Sequence, residues 1–144
     1  MPTRQINEVI RHQNILTAPG GLLVREACRR MAAAQVGSIL IVNTAGALLG
    51  IFTERDALTR VLAAGLDPDA TTLETVMTAN PIVVEPSRPL GHALHLMHDG
   101  GFRHVPVVED GHPMGMLSAR DALGLELVAF EEELEQRDSI TELL

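Results

Sequence analysis

Two segments of the chain carry the same small set of reactive side chains at the same spacing: Gly50-Ile51-Phe52-Thr53-Glu54-Arg55-Asp56 and Gly115-Met116-Leu117-Ser118-Ala119-Arg120-Asp121. In each, a hydroxyl is followed three residues later by a carboxylate, with an arginine just before the acid, where a strand-like run gives way to a helical one. Thr53 or Ser118 at an N-cap, with Asp56 or Asp121 at the third helical position, is a capping arrangement that satisfies orphan backbone donors. The same place also suits a ligand. A helix N-terminus presents free N–H groups and a positive dipole end to anions, and an aspartate there can accept both hydroxyls of a ribose, as an acid does in dinucleotide sites on another fold. Recurrence at one place in both halves of the chain favours the ligand reading over the cap alone. Arg55 and Arg120 are open to two readings: solvated or weakly paired with Glu54 or Glu109, or contacting phosphate, whose geometry the guanidinium fork matches.

The remaining candidates are weaker. His92, His95 and His98 recur every three residues on one helix, so the three fan around it and are expected to face solvent; a two-histidine site through His95 and His98 would need further ligands. Cys28 sits inside an amphipathic helix without an activating neighbour and reads as a small core or boundary residue. The chain has no Walker-type phosphate loop and no nucleophile elbow, so no catalytic class finds support.

The elements that must position these groups come in two copies. Val9-Ile10 and Asn14 to Pro19 line up with Val76-Met77 and Pro81 to Pro86 at an offset of 67. Ala27–Val36 matches Ala93–Phe102, and Ser38–Val42 matches His104–Val108, at an offset of 66; Gly46, Gly50 and Arg55–Leu58 then match Gly111, Gly115 and Arg120–Leu123 identically at 65. Each slip falls in a turn, where an insertion costs little loop entropy. Leu90, Ala93, Leu94 and Met97, and in the first copy Leu23, Ala27, Met31 and Ala34, predict amphipathic helices. Short β-branched runs at Ile39–Val42 and Val105–Val108, each followed by a turn and a second strand, predict hairpins that run into helices opened by Thr53 and Ser118. Each unit therefore reads β-α-β-β-α. Residues 1–66 are expected to hold the first unit with an N-terminal helix, 67–125 the second, and 126–144 an acidic helical extension. Thr71 and Glu74 are expected to form a capping box on the short helix leading into the second unit.

One short sheet cannot cover both its faces. Two units packed sheet to sheet about a pseudo-twofold axis would do so, and would leave two equivalent clefts between them. A chain of 144 residues is long enough to bury a sizeable core. The formal charge is −8 and all eleven basic residues are arginine, which leaves little from which to build a phosphate-tracking face for nucleic acid. With only Phe52, Phe102 and Phe130 as aromatics, a stacking platform for single strands is equally hard to assemble. A single cysteine fits a reducing compartment, and no apolar run has the length of a membrane span. A cytoplasmic protein is expected. At the end of the chain, Leu123, Leu127, Phe130 and Leu134 follow a 4, 3, 4 spacing that could pair with a second copy or fold back on the pair.

This pattern resembles the CBS domain pair, the Bateman module named after cystathionine β-synthase, over about residues 9 to 130. The resemblance is carried by Asn14-Ile15-Leu16-Thr17, Val36–Val42 and Gly50–Asp56 in the first copy, and by Val76-Met77-Thr78, Phe102–Val108 and Gly115–Asp121 in the second. It implies regulatory, non-catalytic binding of adenosine ligands (AMP, ADP, ATP, in some members NAD or S-adenosylmethionine) in the clefts between repeats, with no required cofactor. Carried over by position, Thr53 and Asp56 would hold the ribose in one cleft, and Ser118 and Asp121 in the other. Arg103 and His104 would reach phosphate bound against Thr53 and Asp56. The reciprocal positions, Gly37 and Ser38, carry no charge, so the Ser118 cleft is expected to bind phosphate more weakly unless Arg120 or Arg55 compensates. The resemblance further implies a stand-alone homodimer acting on an effector protein in trans; a ligand-free interaction scaffold is the alternative.

Overall fold

The alternation of short β-branched runs with helical stripes gives α1 (Ile6–Ile10), β1 (Thr17–Ala18), α2 (Val24–Ala34), β2 (Ser38–Val42), β3 (Leu48–Thr53), α3 (Glu54–Asp56), α4 (Leu73–Val76), β4 (Thr78–Ala79), α5 (Leu90–Gly100), β5 (His104–Glu109) and β6 (His112–Ser118). This computed structural model describes residues 4–119 and 130–138, the latter stretch ending in helix from Phe130 onward. Helix α3 runs straight into a π-helical stretch, Ala57–Leu62. The mixed α/β architecture with two tandem repeats is the expected one.

The two hairpins are built by different turn chemistry. In the β2–β3 turn, Asn43 Oδ1 accepts the N–H groups of Ala45 and Ala47, each at 2.9 Å. In the β5–β6 turn, Asp110 and Gly111 both have positive φ, 52° and 79°, as a two-residue turn matched to strand twist requires. Helix α5 buries Leu90, Ala93, Leu94 and Met97, which is the predicted stripe. Helix α2 buries Ala27 and Met31 as expected but Val24 in place of Leu23, because the helix starts at Val24 with Leu23 exposed as its N-cap, and Ala34 in its last turn is exposed. The first sheet has the order β1-β2-β3-β4, with β1 parallel to β2 and the rest antiparallel; β5 and β6 form the second, flanked by a parallel bridge from Val84 to Val107.

The leading segments of the two repeats are exchanged. Ile6 and Ile10 of α1 lie in the core of the second repeat with Leu90, Val105 and Leu117, whereas Leu73 and Val76 of α4 lie in the core of the first with Val24, Ile39 and Phe52. Backbone bonds follow the same crossing: Ile6 N–H donates to Arg88 O at 2.9 Å, and Leu73 N–H to Leu22 O at 2.9 Å. Packing thus links residues on either side of the expected boundary near Leu66 in both directions.

Gly50 and Gly115, identical in the two repeats, lie where the exchanged segments pass. A Cβ on Gly50 would come 2.5 Å from Met77 Sδ and 2.8 Å from the Thr78 carbonyl oxygen, and one on Gly115 would come 2.7 Å from Ile10 Cβ. On the second sheet the place of β4 is taken by a side chain: the Gln13 carboxamide donates to Met116 O and accepts from Met116 N–H, both at 2.9 Å.

The expected Thr71/Glu74 capping box does not form. Thr72 stands at the N-cap without a side-chain bond, Thr71 Oγ1 donates to Asp67 O at 2.7 Å, and the first N–H groups of α4 are taken by the carbonyls of Leu22 and Gly20. Exchange supplies the acceptors that a cap would otherwise supply.

Gly50→Ala is expected to lower the unfolding free energy by about 1–3 kcal/mol, since the added methyl meets backbone. Gly91→Ala in α5, where a Cβ meets nothing within 4 Å, is expected to be neutral or stabilising. Urea denaturation of the two variants beside the wild type checks both, and equal stability of all three would contradict the close-approach account.

Candidate functional site

The junction of β3 and α3 is tightly organised. Thr53 adopts an extended backbone, φ −116° and ψ 166°, and caps the helix reciprocally with Asp56. Asp56 N–H donates to Thr53 Oγ1 at 3.2 Å, while Asp56 Oδ2 accepts from Thr53 N–H at 2.9 Å and from the Thr53 hydroxyl at 3.1 Å. The other carboxylate oxygen, Oδ1, faces Arg60 Nε at 3.5 Å. The cap reading is therefore realised in full, and its acid is held on both oxygens.

This junction opens onto a cavity of about 1040 Å³, lined by Thr53, Arg55 and Asp56 from the first repeat and by Arg103 and His104 from the second. The four residues expected at this cleft, Thr53, Asp56, Arg103 and His104, are brought together, and Arg55, expected as a possible compensating cation in the Ser118 cleft, lines this one instead. Its apolar wall comes from Ile82, Leu58, Pro81 and Phe102, of which Ile82 and Leu58 are exposed. Arg55 is committed in part: its Nη1 donates to the Gly101 carbonyl at 3.4 Å, rather than pairing with Glu54. The Glu54 carboxylate instead lies against Gly37, whose built Cβ would be 3.0 Å from Oε1 and 3.3 Å from His104 Nε2. An acid of the first repeat and an imidazole of the second thus converge at the start of β2.

A second cavity, of about 320 Å³, is lined by Ser38, Ser118 and His104 together with the amide side chains of Gln13, Asn14 and Gln35. Ser38 is buried. His104 borders both cavities. Arg120 and Asp121 lie outside the described residues, so the expected Ser118/Asp121 pairing is not placed.

The histidines of α5 do not simply face solvent. The rings of His95 and His98 meet Phe130 edge-on at centroid distances of 5.0 and 5.7 Å, His95 also pairs with Glu133, and Arg137 Nη2 donates to Asp99 Oδ1 at 3.1 Å. The acidic helix docks intramolecularly on α5, because Phe130 finds apolar cover beside the second core. Leu123 and Leu127 of the proposed seam lie outside the described residues. Among the described residues no group of three or more histidine, cysteine or acidic side chains could hold a metal ion. Cys28 packs at the edge of the first core, and burial raises its thiol pKa.

Sequence reasoning missed Arg60, Thr78 and Asn80, which also line the larger cavity. For Arg60 a signal existed: at the offset of 65 it corresponds to Leu125, so the repeat breaks there. Thr78 and Asn80 reach the cavity only because β4 crosses to β3 of the other repeat, which no local pattern announces.

A protein-family model described as CBS domain matches residues 6–63 and 73–127. The chain is 40% identical over 131 residues to the CBS domain-containing protein CBSCBSPB3 of Arabidopsis thaliana, covering 91% of this chain and 24% of that relative. It spans 24% or less of the length of each of the five Arabidopsis relatives of this series. Among solved structures, the CBS domain protein PAE2072 from Pyrobaculum aerophilum complexed with AMP superposes with a TM-score of 0.81 at 25% identity, covering 90% of this chain and 99% of that one. The CBS domain pair of protein MJ0100, in complex with 5′-methylthioadenosine and S-adenosyl-L-methionine, superposes with a TM-score of 0.74 at 26% identity, covering 83% and 93%. No described helix is long and apolar enough to cross a membrane.

Thr53→Ala is expected to cost about 1 kcal/mol of unfolding free energy through loss of the cap, and Thr53→Ser to restore most of it. Urea denaturation measures both. An unchanged midpoint in Thr53→Ala would mean that the cap bond does not stabilise the junction.

Proposed function

The chain belongs to the CBS domain family, with two tandem copies of the domain, and on that footing we propose that it is a non-catalytic regulatory module binding an adenosine nucleotide in the larger cleft. The observation that carries this reading is the convergence of a hydroxyl and carboxylate from one repeat with two basic side chains from the other around a single cavity. In this reading the Asp56 carboxylate accepts the ribose hydroxyls beside Thr53, the adenine lies along the apolar wall of Ile82 and Phe102, and the phosphate meets Arg103 and His104. Arg55, which also lines the cleft, adds a second guanidinium. That AMP is bound by PAE2072, and 5′-methylthioadenosine and S-adenosylmethionine by the MJ0100 pair, supports an adenosine moiety as the shared part of the ligand. A ligand touching both repeats stabilises their closed relation by its differential affinity for that state, which a partner protein acting downstream would read.

The smaller cleft shares His104 with the larger one but has Gly37 where the larger has Arg103 and no arginine among its described lining residues, and on this reading it binds phosphate more weakly. Self-association fits the exposure of Leu62, 68% accessible on the π-helical stretch, and an effector regulated in trans in the cytoplasm completes the proposal. Light scattering on Leu62→Glu tests the dimer: the wild type runs at twice the chain mass and the variant at the chain mass, whereas a monomeric wild type would refute it.

One observation favours a ligand-free scaffold instead: both Asp56 oxygens already have partners within the chain. Calorimetric titration of the nucleotide-stripped protein with AMP and adenosine separates the readings. Arg103→Ala is expected to weaken AMP roughly tenfold or more while leaving adenosine within about twofold, because only AMP offers a charged acceptor. A wild type that binds neither, nor ATP, NAD or S-adenosylmethionine, at millimolar concentration would make the protein a scaffold.

A further inference from the structure

Among the residues lining the larger cleft, Arg60 makes its contacts with the acid of the cap and with backbone carbonyls. Arg60 follows Asp56 by four residues, on the π-helical stretch Ala57–Leu62. The Ala63 N–H donates to the Leu58 carbonyl at 2.8 Å, five residues back, and such π-helical turns occur frequently at functional sites; residues 56 and 60 are i, i+4 neighbours on one helical face. Its Nε lies 3.5 Å from Asp56 Oδ1. Its Nη1 donates to the carbonyls of Val76 at 3.3 Å and Met77 at 3.1 Å. The guanidinium therefore spans from the acid of the first repeat to the segment that leads into the second. A planar fork can hold both ends at once, which a point charge cannot.

The Asp56 side chain is 13% accessible, against 47% for Arg60. Oδ2 is held by the Thr53 N–H and hydroxyl and Oδ1 faces Arg60, so both carboxylate oxygens are oriented by groups of the chain itself. By sequence the second repeat carries Leu125 at the equivalent place, which offers no guanidinium there.

We infer that Arg60 is a positioning residue for ribose recognition: it fixes the Asp56 carboxylate against the β4 segment, and thereby makes the larger cleft selective for nucleotides with an intact 2′,3′-diol. The inference rests on the proposed nucleotide reading of that cleft. It differs from a phosphate contact, because the partners of Arg60 within the chain are an acid and two backbone carbonyls.

The test is calorimetric titration of the full, nucleotide-stripped chain and of Arg60→Met with AMP, 2′,3′-dideoxy-AMP and adenosine, with thermal melting of each protein. In Arg60→Met the preference for AMP over dideoxy-AMP is expected to fall roughly tenfold, with dideoxy-AMP itself held within about twofold, as expected for loss of a bond to a charged acceptor. Arg60→Lys, which keeps the charge without the fork, recovers only part of the preference. Equal weakening of AMP and dideoxy-AMP would overturn the assignment: if adenosine is spared, Arg60 contacts phosphate, and if adenosine weakens too, its role is structural. Should the wild type bind AMP but not discriminate against dideoxy-AMP, the positioning role is likewise refuted, whereas failure to bind any of the three refutes the nucleotide reading beneath it.

Discussion

The crossing of the two leading segments over two glycines is the constraint from which the remaining architecture follows. Ile10 passes β6 at Gly115 and Met77 passes β3 at Gly50, in both cases closer than any Cβ would permit. Ile6, Ile10, Leu73 and Val76 thereby complete hydrophobic cores to which they are not adjacent in the chain. Neither repeat has a finished core without the other, so burial of apolar surface, the main favourable term in folding, stabilises the pair as a unit. The glycines are identical in the two repeats because the same crossing happens twice.

That crossing also composes the candidate site. Strand β4 pairs with β3 through Gly50–Ala79 and Ile51–Thr78, which lays the segment after Met77 along the mouth of the cleft opened by Thr53 and Asp56. The start of β5 brings Arg103 and His104 from the opposite side. Among the described residues the two clefts are unequal in chemistry: one is lined by Arg55, Arg60 and Arg103, the other by amides and hydroxyls, with His104 shared between them. Pseudo-symmetry supplies the pair of cavities, and individual side chains differentiate them.

Much of this was legible in the sequence because it is local or repeated. The stripe of α5, half of that of α2, the four hairpin strands and the Thr53–Asp56 relation depend on spacing within a dozen residues. Leu23 and Ala34 of the α2 stripe are exposed because the helix begins one residue later than the spacing suggests and its last turn faces out. The pairing of Thr53 and Asp56 with Arg103 and His104 across the repeats followed from the family resemblance. What escaped was long-range. The Thr71/Glu74 cap was expected because a helix start needs acceptors, but the exchanged backbone provides them. His95 and His98 looked solvent-facing because Phe130 is more than thirty residues away in the chain, and its docking has no local signature. Arg60 was overlooked because it lies where the repeat no longer matches, although that mismatch was itself the signal.

The central claim is that one nucleotide is held jointly by the β3–α3 junction of the first repeat and the start of β5 of the second. A crystal structure of the protein grown with AMP tests it most directly. The account predicts the ribose at hydrogen-bond distance from Asp56 and the phosphate at hydrogen-bond distance from Arg103 or His104. Nucleotide density confined to the smaller cleft, or a ribose in the larger one with its phosphate turned away from β5, would contradict it.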